Sequence, residues 1–249
     1  MPRRTLLAVL AHPDDEVGVA GTLLAQRARG DRVVVVWLTR GEMTEALGPL
    51  PVEEVARRRT ALGAEAARIL DVEHRFLDFP DTAVEAGPEA ARTVARVVAD
   101  VRPDGVLTWG EGWVSGQRHP DHRATGRIAR DAVTLARIAK IVEPASPHRA
   151  FAPVFTLRGS HSTLPWAAVD VAPHLDGILE LADHYRAALG FGDRDWVTGR
   201  LRRGGELAGV EYAEVFDAWE SRPGLSEALL PADRGQAPSH PDPRAASAG

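Results

Sequence analysis

The stretch LLAVLAHPDDE, residues 6–16, decides the fold that we predict for this chain. Its first five residues are apolar, as expected for a strand that is buried on both faces of a parallel sheet. Polar residues follow at once, and apolar residues then recur at helical spacing over 17–29, just before Gly30. A buried strand, a polar loop and a helix in this order form the opening unit of a parallel α/β sheet.

The same alternation of strand and helix continues along the chain. VVVVWL at 33–38 is the strongest strand signal, because it is apolar throughout and rich in β-branched residues. Further strands are predicted at 75–77, 105–109, 154–157 and 168–171, and helices at 52–70, 88–101, 122–140 and 173–189. Residues 212–216 fit either a strand or the start of a helix. We therefore predict an α/β, Rossmann-like fold, in which helices flank a mainly parallel sheet with right-handed crossovers.

A change in composition marks the end of the predicted folded part. Residues 231–249 contain mostly Pro, Ala, Ser, Asp and Arg, with almost no large apolar side chain. Such a segment cannot bury enough apolar surface to offset the entropy of ordering it. We therefore predict a single α/β domain over residues 1–230 and a disordered tail over 231–249.

The overall composition excludes several classes of function. The chain has 249 residues and a formal net charge of −5, which argues against nucleic acid as its main partner. The absence of cysteine excludes disulfides, thiolate metal sites, iron–sulfur clusters and cysteine nucleophiles. No stretch reaches the roughly 18 apolar residues that a membrane span needs, and no secretory signal is recognisable. We predict a cytoplasmic protein without membrane insertion, and leave open whether it forms a homo-oligomer.

Two loops rich in histidine and aspartate follow predicted strands. His12 and its acidic neighbours end the segment 6–16, and the segment HPDH, residues 119–122, follows the strand at 105–109. Ligands of parallel α/β sheets bind beyond the carboxyl ends of the strands, so we expect both loops at one edge. An aspartate before a helix is often only an N-cap. Two such clusters at one edge favour a metal site, since imidazoles and a carboxylate are the ligands that suit zinc.

The paired motifs AHPDDE, residues 11–16, and HPDH, residues 119–122, resemble the PIG-L/LmbE-like family of zinc-dependent N-acetylglucosaminyl-type deacetylases. Weaker similarities extend the resemblance over residues 5–216. The chain departs from the family pattern at 61–63, where Ala-Leu-Gly stands in place of a usual glutamate, and at Asp71, which replaces a usual glycine. Neither departure touches the two paired motifs.

The resemblance implies a metal site and a general base. The zinc ligands would be His12, Asp15 and His122, with iron(II) as the alternative ion, and Asp14 would be the general base. Three protein ligands leave a fourth position for a water, whose pKa falls to about 7 on zinc. The attacking water must lose a proton, which a carboxylate beside a ligand can accept.

The resemblance also implies roles for the second motif and for the substrate loops. His119 would polarise the carbonyl or stabilise its oxyanion, an interaction whose loss typically costs about 3–4 kcal/mol. Asp121 would orient a histidine. The implied substrate is a small amino-sugar conjugate that contains N-acetylglucosamine, and zinc-activated water would remove its acetyl group. Candidate substrate-binding residues are Arg40, Glu42, Arg59, Asp81, Trp113 and Arg118.

Other functions fit the sequence less well. An amidase that removes a larger acyl group, as from a thiol conjugate, would use the same zinc water, so the sequence does not separate it from a deacetylase. A non-catalytic sugar- or nucleotide-binding module has no need of Asp14 beside a ligand, and G-x-G-x-x-G is absent. A serine hydrolase lacks its G-x-S-x-G motif. A glycosidase needs two carboxyls about 5–9.5 Å apart across the bond, which adjacent aspartates do not provide.

Overall fold

The computed structural model describes residues 3–110, 119–159, 161–220 and 224–231. Within these residues, eight strands form one sheet. In chain order they are β1 (Thr5–Leu10), β2 (Arg32–Trp37), β3 (Glu73–Phe76), β4 (Gly105–Thr108), β5 (Val154–Leu157), β6 (Trp166–Asp170), β7 (Ala213–Ala218) and β8 (Gly224–Ser226). The order across the sheet is β3-β2-β1-β4-β5-β7-β6-β8. The first five strands are parallel, and β7 is antiparallel to both of its neighbours.

Helices cover both faces of this sheet. They are α1 (Ala20–Ala28), α2 (Val52–Ile69), α3 (Pro88–Val101), α4 (Pro120–Leu135), α5 (Ala139–Val142), α6 (Leu175–Leu189) and α7 (Arg194–Ala208). Alternate residues of β1 join two different cores: Leu6 belongs to the core that includes residues of α1, α2, α6 and α7, and Leu7 to the core that includes residues of α3, α4 and α5. This explains the unbroken apolar run of β1, and the predicted α/β fold with a mainly parallel sheet is confirmed.

The strand order reverses between β1 and β4. From β1 the chain winds outwards through β2 and β3, and β4 then pairs with the other side of β1. The loops that follow β1 and β4 therefore flank the switch point, where open α/β sheets bind their ligands. The segment 11–16 begins in the first of these loops, and the segment 119–122 spans the end of the second loop and the first residues of α4.

Several elements differ from the prediction, and the short strand β8 was not predicted at all. Helix α4 ends at Leu135 instead of residue 140, because the chain turns after Ala136 and continues into α5. In the segment 212–216, for which a strand and a helix start were both open, residues 213–216 belong to strand β7. Helix α7 was not predicted, since its three glycines lower the helix propensity. Those glycines permit close packing instead: a Cβ on Gly204 would lie 2.1 Å from the carbonyl oxygen of Ala213.

Some expectations stay predictions. Residues 232–249 lie outside the described residues, so the disordered tail remains a prediction, as does the single domain over 1–230. None of the helices in the described part of the chain combines the length and the apolar content that crossing a bilayer requires.

Candidate metal centre

Two loops at the carboxyl edge of the sheet bring the histidines and aspartates together. The loop after β1 passes through His12 and Asp14 into a single 3-10 turn, Asp15–Gly18. The loop after β4 leads to His119, and Pro120 opens α4, the position at which a helix tolerates proline best. His119 caps this helix, with its Nδ1 accepting the backbone N–H of Asp121 at 3.3 Å.

His12, Asp15 and His122 form a compact set of metal donors. Their ligand atoms all lie within 4.8 Å of one another. The Oδ1 atom of Asp15 is 3.2 Å from His122 Nε2 and 3.9 Å from His12 Nδ1. Two imidazole nitrogens and one carboxylate oxygen suit a borderline divalent cation such as zinc, and three protein donors leave a coordination position open. The residues present therefore fit the metal centre that the sequence predicts.

The other nitrogen of His12 faces two carboxylates. Its Nε2 is 3.2 Å from Asp121 Oδ2 and 3.1 Å from Asp81 Oδ1. Burial by itself would lower the pKa of His12, but the hydrogen-bonding carboxylates of Asp121, Asp15 and Asp81 raise it to about 12. Carboxylates at Nε2 keep a proton on that nitrogen, so the lone pair of Nδ1 is directed to the side of Asp15. Asp81 thus contacts the histidine, although the sequence indicated it only as a substrate-binding residue.

A strained turn after β3 holds Asp121 in place. The carboxylate of Asp121 is fully buried and accepts the backbone N–H groups of Thr82, at 2.8 Å, and Val84, at 3.2 Å. Thr82 has a φ of 68°, which a β-branched residue rarely adopts. Nothing in the sequence marked Thr82 as part of the site, since its contribution is a backbone group.

Trp109, the residue after β4, contacts two of the three metal donors. Its indole ring stacks on His122 with 3.8 Å between ring centroids and 5° between planes. Its Nε1 donates to Asp15 Oδ2 at 2.8 Å, and the backbone N–H groups of Ala11 and His12 donate to the same oxygen. Burial would raise the pKa of Asp15, but the charge of His122 and the hydrogen bond with His12 hold it well below the usual value. In the sequence, the one signal that could have placed Trp109 at this site was its position at the end of a predicted strand.

Asp14, the predicted base, has a strained backbone and a buried partner. Its φ is 122° and its ψ −21°, a conformation that L-residues avoid at a cost of about 1–3 kcal/mol. Its Oδ2 accepts a hydrogen bond from Arg59 Nη2 at 2.9 Å, and Arg59 also donates to the carbonyl of Pro13. Burial raises the pKa of Asp14 to about 6, although the charge of Arg59 opposes this. Such a carboxylate suits a general base near neutral pH.

Two further predicted residues connect the loops around the site. Glu42 accepts the backbone N–H of Asp81 at 2.9 Å and that of Arg40 at 3.2 Å. The guanidinium of Arg40 donates to Asp78 at 2.8 Å and is partly exposed. Arg59, in contrast, is only 2% exposed and lies beneath Asp14.

These contacts do not test the predicted catalytic and substrate-binding roles. His119 lies against His12, with 4.5 Å between ring centroids, and burial together with the charge of His12 lowers its pKa. Trp113 and Arg118 lie outside the described residues. The substrate-binding role of all six predicted residues, and the catalytic roles of Asp14, His119 and Asp121, stay predictions.

The fold and this site define an α/β protein with a three-residue candidate metal centre at the switch point of its sheet. Residues 7–133 match the model of the PIG-L family, described as GlcNAc-PI de-N-acetylase. The chain belongs to the PIG-L family, and the predicted resemblance is confirmed.

The names of curated relatives agree with membership of this family. The 1D-myo-inositol 2-acetamido-2-deoxy-alpha-D-glucopyranoside deacetylase of Acidothermus cellulolyticus is 32% identical over 197 residues, which is 67% of this chain and 67% of that protein. The chain spans between 50% and 67% of the length of the first four curated relatives that it matches.

Two solved structures share the fold. The N,N'-diacetylchitobiose deacetylase of Pyrococcus horikoshii superimposes with a TM-score of 0.76 at 24% identity, over 86% of this chain and 83% of that one. The 4-carboxy-2-hydroxymuconate hydratase of Pseudomonas putida superimposes with a TM-score of 0.73 at 22% identity, over 91% and 100%. Because a hydratase also has this fold, the fold by itself does not decide the reaction.

Proposed function

We propose that this protein is a metal-dependent N-deacetylase, which hydrolyses the N-acetyl group of a small conjugate that contains N-acetylglucosamine. The observation that carries the proposal is the three-residue donor set His12, Asp15 and His122, with the carboxylate of Asp14, the neighbour of Asp15 in the chain, held by Arg59. The deacetylase names of the curated relatives support the same reaction and the same class of substrate. Zinc is the proposed ion, with iron(II) as the alternative.

The residues around the donors can supply the proton transfers of amide hydrolysis. A divalent cation held by His12, Asp15 and His122 would lower the pKa of a water and polarise the amide carbonyl. Asp14 accepts a proton from the attacking water as the new carbon–oxygen bond forms. Arg59 holds the carboxylate of Asp14 in place for this step. When the carbon–nitrogen bond breaks, the proton that Asp14 accepted passes to the leaving nitrogen. The products are a free amine and acetic acid, which ionises to acetate.

His119 is placed to donate a hydrogen bond to the oxygen of the tetrahedral intermediate. Burial and the charge of His12 lower its pKa, which favours the neutral ring. Because Nδ1 accepts the backbone N–H of Asp121, the hydrogen of the neutral ring resides on Nε2. A neutral donor of this kind can stabilise an oxyanion through a hydrogen bond.

The first test of the proposal is the metal content of the purified protein by elemental analysis. We expect about one zinc or iron per wild-type chain, as for a site with three protein ligands. The double variant His12→Ala/His122→Ala should lose the metal. The matched control is His74→Ala/His161→Ala, which removes two exposed histidines and should keep it. A wild-type protein that stays metal-free in zinc-supplemented medium would contradict the proposal.

The second test separates the alternatives by product. A deacetylase releases acetate from N-acetylglucosaminides faster than it cleaves the matching N-propionyl or longer amides. An amidase for larger acyl groups shows the reverse ratio, and a binding module retains the sugar without releasing acetate. Cytoplasmic location and a homo-oligomer remain sequence-based expectations, for which size measurement in solution and localisation of a tagged chain are the direct tests.

A further inference from the structure

Glu16 is the one residue of the segment 11–16 with a charged side chain that the proposed reaction does not use. Its side chain is 0% exposed, and the residue follows the donor Asp15 in the chain. Three donors converge on it. Its Oε2 accepts the backbone N–H of Asp14 at 3.0 Å and the Nε1 of Trp37 at 2.9 Å, and its Oε1 accepts the hydroxyl of Tyr185.

These contacts connect Glu16 to the most strained backbone of the site. Asp14 has a φ of 122°, and non-glycine residues stay in such conformations only when the surrounding structure over-determines them. Glu16 holds Asp14 at its backbone N–H, and Arg59 holds it at its carboxylate, 2.9 Å away. The residue is therefore fixed from both ends.

The two partners of Glu16 come from rigid parts of the fold. Trp37 ends strand β2, Tyr185 lies on helix α6, and both are fully buried. Side chains anchored in a strand and a helix position their donors more accurately than side chains on loops do. The two buried partners therefore fix the position of the Glu16 carboxylate, and this carboxylate in turn fixes the backbone N–H of Asp14.

We propose that Glu16, fixed by Trp37 and Tyr185, is a positioning residue that holds the backbone of Asp14 in the conformation from which its carboxylate can act as the base. This inference rests on the proposed function for the identity of the base. Among the described residues, the side-chain hydrogen bonds of Glu16 go to Asp14, Trp37 and Tyr185 and to none of the metal donors. Its role is to accept hydrogen bonds, so the shape of the side chain matters and its charge does not.

The substitution Glu16→Gln distinguishes acceptor geometry from charge. Glutamine keeps one oxygen for Asp14 and Trp37, and its amide group can donate to the oxygen of Tyr185, whose hydroxyl is free to rotate. The substitution Glu16→Ala removes all three hydrogen bonds. The matched control is Glu214→Ala, because Glu214 is also buried and accepts two backbone N–H groups, those of Gly21 and Thr22, at 3.0 and 2.8 Å.

The primary measurement is the backbone conformation of Asp14 in crystal structures of the metal-loaded variants, followed by kcat, KM and metal content. In Glu16→Gln we expect φ of Asp14 to stay near its present value and kcat to stay within about threefold. In Glu16→Ala we expect φ to leave the positive region and kcat to fall about 100-fold, as small misplacements of reacting groups do. KM and metal content should not change. Glu214→Ala should lose stability while φ of Asp14 and kcat stay as they are.

If Glu16→Ala does not fold, Tyr185→Phe replaces it, since it removes one anchor of Glu16 and no other hydrogen bond of the site. Faster amide hydrogen exchange at Asp14 than in the wild-type protein is then expected, and unchanged exchange overturns the proposal. An unaltered φ of Asp14 in Glu16→Ala overturns it too, as does a Glu16→Gln variant in which Asp14 moves as much as in Glu16→Ala. A wild-type protein that releases no acetate would defeat the proposed function, whereas the conformation of Asp14 would still decide the role of Glu16.

Discussion

Aspartates are buried at both edges of the sheet, but the groups that pair with their carboxylates differ between the two edges. At the amino edge, Asp31 accepts the backbone N–H of Arg4 at 2.8 Å and lies 3.7 Å from the guanidinium of Arg29. Asp104, beside it, accepts the backbone N–H of Thr5 and lies 3.8 Å from the guanidinium of Arg4. Each carboxylate there has a guanidinium of its own.

At the carboxyl edge, aspartate carboxylates outnumber the guanidinium groups that pair with them. Four aspartates surround the candidate metal centre: Asp14, Asp15, Asp81 and Asp121. Among the ion pairs of the described residues, the guanidinium that reaches this set is Arg59, on Asp14. The histidines are the other partners, and the raised pKa of His12 shows how strongly this edge favours a positive charge. Buried charges need partners, so this edge is arranged for a cation and the other edge is not.

The backbone shows the same contrast. Four non-glycine residues of the described chain have a positive φ. Asp71 and Arg102 lie at the ends of α2 and α3, near the amino edge, where left-handed residues commonly end helices. Asp14 and Thr82 lie at the carboxyl edge and are far less usual. The backbone of the amino edge is of an ordinary kind, whereas backbone strain at the carboxyl edge is what we expect where the proposed reaction takes place.

Among the substitutions that test this contrast between the two edges, Asp14→Asn is expected to have the largest effect on the rate. Loss of a general base costs about 10²–10⁴-fold, so we expect kcat to fall about 1000-fold with the metal content unchanged. Asp71→Asn is the matched control, since Asp71 also has a positive φ, but at the other edge. Steady-state kinetics decide the point, and an Asp14→Asn enzyme with normal kcat would remove Asp14 as the base.

The next effect concerns the metal affinity at the carboxyl edge. Trp109→Phe keeps a ring against His122 but removes the hydrogen bond to Asp15. Loss of such an outer partner typically weakens metal binding about 10–100-fold, and we expect a zinc Kd raised by that factor. Competition with a chelator measures it. In the control Trp219→Phe, which loses a hydrogen bond to Thr156 elsewhere in the fold, the Kd should not change; equal Kd values in both variants would contradict the assignment.

At the amino edge, Asp31→Ala should lower stability and leave catalysis alone. The backbone N–H of Arg4 and the side-chain amide of Gln26 both lose a buried acceptor. Each buried group left unsatisfied costs about 1–3 kcal/mol, so for the two groups we expect the free energy of unfolding to fall by about 2–6 kcal/mol. Urea denaturation measures this loss. A large drop in kcat/KM of the folded variant would break the proposed division between the edges.

The pH dependence of the rate tests the carboxyl edge without a mutation. Burial raises the pKa of Asp14 to about 6, and the base must be deprotonated to act. The active fraction therefore decreases as pH falls through 6, and between pH 7 and pH 5 we expect kcat/KM to decrease about tenfold. Metal content is checked at each pH, so that loss of the ion is not mistaken for protonation. A rate that is flat down to pH 5 would exclude this pKa.

The smallest effect is expected for Arg102→Gly. Arg102 ends α3 with a φ of 55°, a conformation that glycine adopts without cost. We expect the free energy of unfolding to rise by about 0.5–1 kcal/mol, with kcat/KM unchanged. Thermal unfolding measures the gain. A loss of stability would mean that the side chain of Arg102 makes contacts worth more than the strain.

Much of the fold could be predicted from local pattern. The bounds of α2 and α3 agree with the prediction within one residue, because their apolar periodicity and the proline at the start of α3 are properties of the segment itself. Helix α7 could not be predicted, since its glycines disfavour a helix until Gly204 packs against Ala213. The local sequence signal for a helix is weak there, and packing against β7 stabilises the helix.

For the site, the sequence by itself determined which donors are present and at which edge they lie, because every parallel strand delivers its following loop to the same edge. Only the tertiary structure decided that Nε2 of His12 faces Asp121, 109 residues away, and that Trp109 contacts Asp15, 94 residues away. Contacts of this range depend on the packing of whole strands and helices. No short stretch of sequence contains that information, and so the donors could be named in advance while the groups that hold them could not.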